Sequence, residues 1–291
     1  MTHAKNNILT LVTVMDYSKK NEIDMCKIWI YLAKRFNPSA RIYIFYCNKH
    51  RINKTIKYSL RYEGIKFIRL NTQNSYYLSH LKGDNTRSIK YKIPLWEQCA
   101  SLKLHSYIYL DADAFILSPL NEWWDRIKIK PFIGIAERVE NSVTLCNAGV
   151  YSYSNSTNFI AYDKLIQQYH HDGGTILLPT GDQGLINSYF KTIKYTYTDK
   201  TINYTYNCFA KRCITVAVND KKIIIYSGLY PFWKRLRRRM KNIPVEWWEG
   251  WLWWNKPSKV KVLHAYGEGL KFWELKECRA LWNYCLQKVS E

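Results

Sequence analysis

The chain has no Cys-x-x-Cys pair, no apolar stretch long enough to span a bilayer, and no internal repeat or flexible linker. Each absence excludes something. Without cysteines paired at ligand spacing, a zinc knuckle is ruled out. The eight cysteines, at 26, 47, 99, 146, 208, 213, 278 and 285, read instead as buried, reduced thiols, several of them inside apolar runs such as 42–47. The N-terminal apolar run, 8–14, is too short for a spanning helix and has no small-residue cleavage site behind it. It reads as a first strand, which leaves only peripheral membrane contact and a cytoplasmic place. Acidic residues are also scarce, 23 against 44 Lys and Arg, for a net charge of +21. That balance favours polyanions as partners: nucleic acid, anionic lipid or an acidic glycan.

What is present points to a packed enzyme-sized fold. The chain has 291 residues, 47% of them hydrophobic, enough to bury a large core. Short β-branched and aromatic runs at 8–14, 41–47, 65–70 and 107–110 alternate with a helical pattern at 22–35 and a further stretch at 53–62. Such alternation predicts an α/β fold, with a Rossmann-like, mostly parallel central sheet flanked by helices. Beyond Pro119 the pattern mixes. Strands are expected over 131–136, 145–153, 222–227 and 259–264. Helices are expected over 158–169, from a capped start within 180–190, and over 274–289.

The run at 107–110 leads straight into Asp111-Ala112-Asp113. Carboxylates at the C-terminal end of a central parallel strand stand where open α/β sheets bind ligands. If the strand continues through them, side chains two apart share a face. Carboxylates that close repel unless a cation sits between them, and hard divalent ions commonly bridge a protein carboxylate to substrate phosphates. A polar turn ending a strand is the alternative. Three more segments follow in order: Asn147-Ala148-Gly149-Val150-Tyr151, then Gly181-Asp182-Gln183-Gly184-Leu185-Ile186-Asn187, then His264-Ala265-Tyr266-Gly267. Gly181-Asp182 also fits a helix start, where Asp caps open amides.

This ordered set resembles the glycogenin-like family 8 glycosyltransferases over residues 8–273. The resemblance implies a GT-A fold and the retaining transfer of a hexose or pentose from a UDP-sugar, as in a hexosyltransferase. It implies Asp111, Asp113 and His264 as ligands of a divalent metal, manganese or magnesium, with Asp111, Ala112 and Asp113 also lining the donor. Asn147, Asp182 and Gln183 match the catalytic positions around the transferred sugar. Lys92, four before Trp96, and Lys271 match lysines beside the phosphates, where a point charge stabilises a leaving diphosphate. Gly267 matches a close approach to phosphate, and Thr13 and Tyr17 match positions at the nucleotide base. The implied layout is one domain over 1–291: a nucleotide-binding half at 8–113, a sugar and acceptor half at 114–273, and a C-terminal helix at 274–291. The chain departs from the family where Phe272 precedes Trp273 in place of proline, and where Pro179 replaces an acid of glycogenin-type proteins.

Residues 230–256 form a basic, tryptophan-rich insert with six of the twelve tryptophans and the run Arg235, Arg237, Arg238, Arg239. Trp and Arg together suit an anionic membrane surface. Trp faces also stack on sugars, and a locally packed insert with solvated arginines is the third reading. No nucleic-acid-binding module accompanies the charge, so nucleic acid is not an expected partner. Two function classes follow. One is a metal-dependent transferase with a glycan, lipid-linked or protein acceptor. The other is a non-enzymatic basic protein docking on membrane or nucleic acid through 230–256. A nucleotidyltransferase on the same kind of sheet is disfavoured by the missing glycine-rich phosphate loop.

Overall fold

The four apolar runs of the first 110 residues become four adjacent parallel strands of one sheet. In the computed structural model the described residues are 8–15, 20–47, 52–70, 86–127, 132–140, 143–154, 208–209, 215–218, 221–224, 261–265 and 279–291. Within them β1 (Thr10–Met15), α1 (Lys20–Phe36), β2 (Arg41–Tyr46), α2 (Ile52–Ser59), β3 (Ile65–Arg69), α3 (Thr86–Ser101) and β4 (Ser106–Leu110) alternate, with α3 a helix that the pattern did not single out. Then come β5 (Ala114–Ile116), α4 (Asn121–Ile127), β6 (Phe132–Glu140) and β7 (Val143–Ser154). Three short strands, β8 (Cys208–Phe209), β9 (Thr215–Val218) and β10 (Lys221–Ile224), precede β11 (Val262–His264) and the closing α5 (Arg279–Ser290). The helices expected at 158–169 and 180–190 and the insert at 230–256 lie outside the described residues.

The main sheet has the order β3-β2-β1-β4-β7-β6. β3, β2, β1 and β4 are parallel, with Val12 level with Tyr43 on one side and with Tyr109 on the other. β7 and β6 join antiparallel beyond β4, Tyr109 facing Tyr151 and Leu110 facing Val150. The chain steps outward from β1 to β3 and then returns to the opposite side of β1 for β4. That reversal opens a crevice at the carboxyl ends of β1 and β4, the place where such sheets take ligands.

Alternation along the strands covers both faces. Leu11, Ile44, Ile108 and Leu110 turn to a core shared with Ile28, Trp29 and Leu32 of α1 and with Leu281, Trp282 and Cys285 of α5. Val12, Phe45, Tyr107, Tyr109, Tyr151 and Tyr153 face the other way, onto Leu95, Trp96 and Cys99 of α3. Burial pushes the Cys99 thiol well above its ordinary range and the Cys285 thiol up to about 12, so both stay protonated as free, inert core residues. At the opposite end of the sheet, the buried Lys34 ammonium closes the turn after α1 by donating to Ala40 O at 2.6 Å and Pro38 O at 3.1 Å.

A second, three-stranded sheet has the order β5-β11-β8. β11 runs antiparallel to β5, with His264 opposite Ala114, and parallel to β8, with His264 opposite Phe209. β5 is only three residues long, yet it carries the chain directly away from Asp113 and ties it to the far C-terminal part of the sequence.

Candidate metal centre

Asp111 is delivered by the end of β4, where its amide donates to Gly149 O at 2.7 Å. The chain then leaves the sheet. Ala114 N donates back to Asp111 O at 2.9 Å, which closes a tight turn around Ala112 and Asp113. The two carboxylates therefore meet across a turn, and not through the alternation of a continuing strand. Asp113 is placed beside β11 by its own carbonyl, which accepts the amide of Ala265 at 2.9 Å. His264, 2% exposed, projects between them. Its Nε2 lies 3.4 Å from Asp113 Oδ1 and 4.0 Å from Asp111 Oδ2, and one ligand atom from each of the three residues falls within 4.8 Å of the others.

Two carboxylate oxygens and an imidazole nitrogen suit a divalent ion with oxygen-rich coordination. The surroundings keep room for one. A Cβ built on Gly149 would stand 2.3 Å from Asp111 Oδ2 and 2.8 Å from His264 Cε1, so this residue must be without a side chain for the ligands to converge. Gly149 sits inside a motif already singled out, but its role shows only when β7 is laid beside β4.

Behind Asp111 lies a group of side chains from three elements. Lys92, 5% exposed on α3, donates to Asp111 Oδ1 at 3.1 Å and to Ala148 O at 2.6 Å. Tyr109 donates its hydroxyl to the same Oδ1 at 2.6 Å. Its ring stacks on Tyr151, centroids 4.9 Å apart at 20°, and Trp96 Nε1 donates to Tyr151 Oη at 2.7 Å. The Lys92 ammonium rests 3.9 Å from the centre of the Tyr109 ring, a cation–π contact. Sequence reasoning missed Tyr109, although it stands two residues before Asp111 and so on the same face of the strand.

No protein-family profile and no curated protein matches the sequence. Solved structures do. The galactosyltransferase LgtC, solved with donor and acceptor sugar analogs, superposes with a TM-score of 0.62 at 15% identity over 97% of this chain and 97% of its own. The apo-form glycosyltransferase GlyE of Streptococcus pneumoniae gives 0.60 at 18% identity, covering 97% of this chain and 61% of GlyE. The bifunctional glycosyltransferase WbbM gives 0.65 at 10% identity over 100% of this chain and 51% of WbbM. The fold is GT-A. The chain thus spans about three fifths of GlyE and half of WbbM.

Seen on the GT-A sheet, six of the expected site residues come together. Asp111, Ala112, Asp113, Asn147, Lys92 and His264 gather at the carboxyl end of β4. Asn147 is buried and its Oδ1 accepts the amide of Gly149 at 2.7 Å, so one of its polar atoms fixes the glycine that the ligands need. Lys92, expected at the phosphates, has its ammonium on Asp111. Thr13 lies on β1, fully buried, with no partner for Oγ1 among the described residues. Tyr17, Asp182, Gln183, Gly267 and Lys271 fall outside the described residues.

Proposed function

We propose that this chain is a retaining glycosyltransferase, moving a hexose or pentose from a UDP-sugar to a glycan, lipid-linked glycan or protein acceptor. The observation that carries the reading is the convergence of Asp111, Asp113 and His264 at the carboxyl edge of β4 on a GT-A sheet. Those three residues would hold manganese or magnesium. A cation held there would supply positive charge against that developing on the departing diphosphate. In the reaction the bond from the anomeric carbon to the diphosphate oxygen breaks and a bond to the acceptor oxygen forms. UDP leaves, and the acceptor gives up its proton. Retention follows from the resemblance to family 8 enzymes.

The chain's own residues then divide the work. Asp182, Gln183 and Asn147 are assigned to the transferred sugar, and Thr13 and Tyr17 to the base. Lys92, Gly267 and Lys271 are assigned to the diphosphate. On this reading 8–113 is the nucleotide half and 114–273 the sugar and acceptor half. The basic insert at 230–256 contacts an anionic membrane from the cytoplasm; none of the described helices is long and apolar enough to cross one.

Incubating the protein with a panel of UDP-sugars and Mn2+ tests this reading without knowledge of the acceptor. Slow release of UDP from one donor, lost on chelation, is expected. No hydrolysis of any donor, together with UDP binding indifferent to Mn2+, would refute it.

A further inference from the structure

The two oxygens of Asp111 are treated unequally. Oδ1 accepts two donors at once, the Tyr109 hydroxyl at 2.6 Å and the Lys92 ammonium at 3.1 Å. Oδ2 is the oxygen turned toward His264 and the one a side chain at Gly149 would strike. Short hydrogen bonds to a carboxylate are strong and directional, so the pair of donors fixes the rotation of the group. Tyr109 is itself immobilised. Its ring stacks on the Tyr151 ring, the Lys92 ammonium lies against both rings at 3.9 Å and 5.8 Å from their centres, and Tyr151 is anchored in turn by Trp96. Lys92 and Trp96 sit one turn apart on α3, so a single helix face supports the whole arrangement.

We propose that Tyr109 is a positioning residue that keeps Oδ1 of Asp111 away from the cation and thereby sets which divalent ions the site prefers. The inference rests on reading Asp111, Asp113 and His264 as cation ligands. A carboxylate restricted to one oxygen suits small ions that demand near-octahedral geometry, a preference Mn2+ shares. Ca2+ takes six to eight oxygens and readily accepts a carboxylate through both. Removing the phenol hydroxyl leaves the ring stack but takes away the shorter of the two bonds, so Oδ1 is held by Lys92 alone and the carboxylate can turn more easily. The site should then lose discrimination against the larger ion.

The experiment compares Tyr109→Phe with Tyr107→Phe. Tyr107 lies two residues earlier on the same strand face, fully buried, and its hydroxyl has no partner among the described residues. Mn2+ binding is followed by electron paramagnetic resonance, and Ca2+ by competition. Tyr109→Phe should lower Mn2+ affinity about 10-fold, the lower end of what second-layer contacts to a metal site contribute. Ca2+ affinity should change less, so the Mn2+/Ca2+ ratio falls, while Tyr107→Phe keeps the parental ratio. That ratio, unlike either affinity alone, does not depend on the fraction of protein folded. An unchanged ratio in Tyr109→Phe, or an equal fall in Tyr107→Phe, overturns the proposal. A parent protein that binds neither ion overturns the cation reading beneath it.

Discussion

Replacing Gly149 by alanine adds one methyl group where the carboxylate of Asp111 already stands. The new Cβ would lie 2.3 Å from Asp111 Oδ2 and 2.9 Å from its Cγ. Non-bonded heavy atoms settle at about 3.5 Å, so something must retreat by roughly 1 Å. The backbone of Gly149 resists, because its carbonyl accepts the Asp111 amide at 2.7 Å and its own amide is held by Asn147 Oδ1. The carboxylate resists as well, since turning Oδ2 away drags Oδ1 off Tyr109 and Lys92. His264 cannot absorb the shift, with its Cε1 only 2.8 Å from the added methyl. Overpacking of this kind costs about 1–3 kcal/mol in stability, whereas a 1 Å misplacement of a reacting group can cost about 100-fold in rate. Gly149→Ala is therefore expected to stay folded at 25 °C, with donor hydrolysis down by about two orders of magnitude and Mn2+ binding weakened in parallel. Thermal melting, Mn2+ titration and UDP release on one preparation check all three. Parental Mn2+ affinity in this variant would show that the ligands do not converge as described.

Asp111→Asn, Asp113→Asn and His264→Ala should each abolish or sharply reduce the Mn2+ dependence of UDP binding, by calorimetric titration with and without the ion. The two Asn variants should melt close to the parent, because amide and carboxylate are nearly the same size. On the outer surface, Glu122 on α4 meets Lys261 at 2.7 Å and Arg126 at 3.0 Å. The hydrogen bond from Lys261 chiefly holds its carboxyl below the usual range, with burial opposing and Arg126 assisting. A depressed carboxyl stabilises the fold above its unfolded-state value and loses that contribution as pH falls through the folded one. Glu122→Gln should thus cost no more than about 1 kcal/mol at neutral pH, since the pair is exposed. The difference should shrink as the solution is made acidic, as denaturant melts at pH 7 and pH 3 would record. Replacing Arg235, Arg237, Arg238 and Arg239 by Ser should weaken co-sedimentation with anionic vesicles in a salt-sensitive way. Equal sedimentation of variant and parent would remove the membrane role.

Which parts of this protein could be read from residues alone follows from how local each signal is. The parallel strands were legible because a strand buried on both faces must be apolar along its length, as 42–47 is. α1 was legible through its helical spacing. α3 was not assigned, because Pro94 interrupts it and cannot donate to the carbonyl four residues back. Tertiary packing of Leu95, Trp96 and Cys99 overrides that loss. The importance of Asp111, Asp113 and His264 was visible as an ordered motif set. How the carboxylates converge was not, since a turn at the end of β4 and a continued strand share the same residues. Lys92 illustrates the same limit. Its residue type and distance from Trp96 suggested a lysine beside phosphates, but only the packing of α3 on β4 and β7 shows that its ammonium also meets Asp111.

The β5–β11 ladder has a consequence for how the molecule is made. Asp113 emerges early in synthesis and His264 late, so no ligand set exists until β11 has closed a very long loop onto β5. The entropy of such closure rises only with the logarithm of loop length, but it must be met before any contact between the two strands rewards it. An ion that binds all three side chains favours the closed state by mass action and disfavours every chain in which β11 is still undocked. Refolding in the presence of Mn2+ would then leave fewer chains with β11 undocked at equilibrium, because the ion holds the segment only once it has arrived.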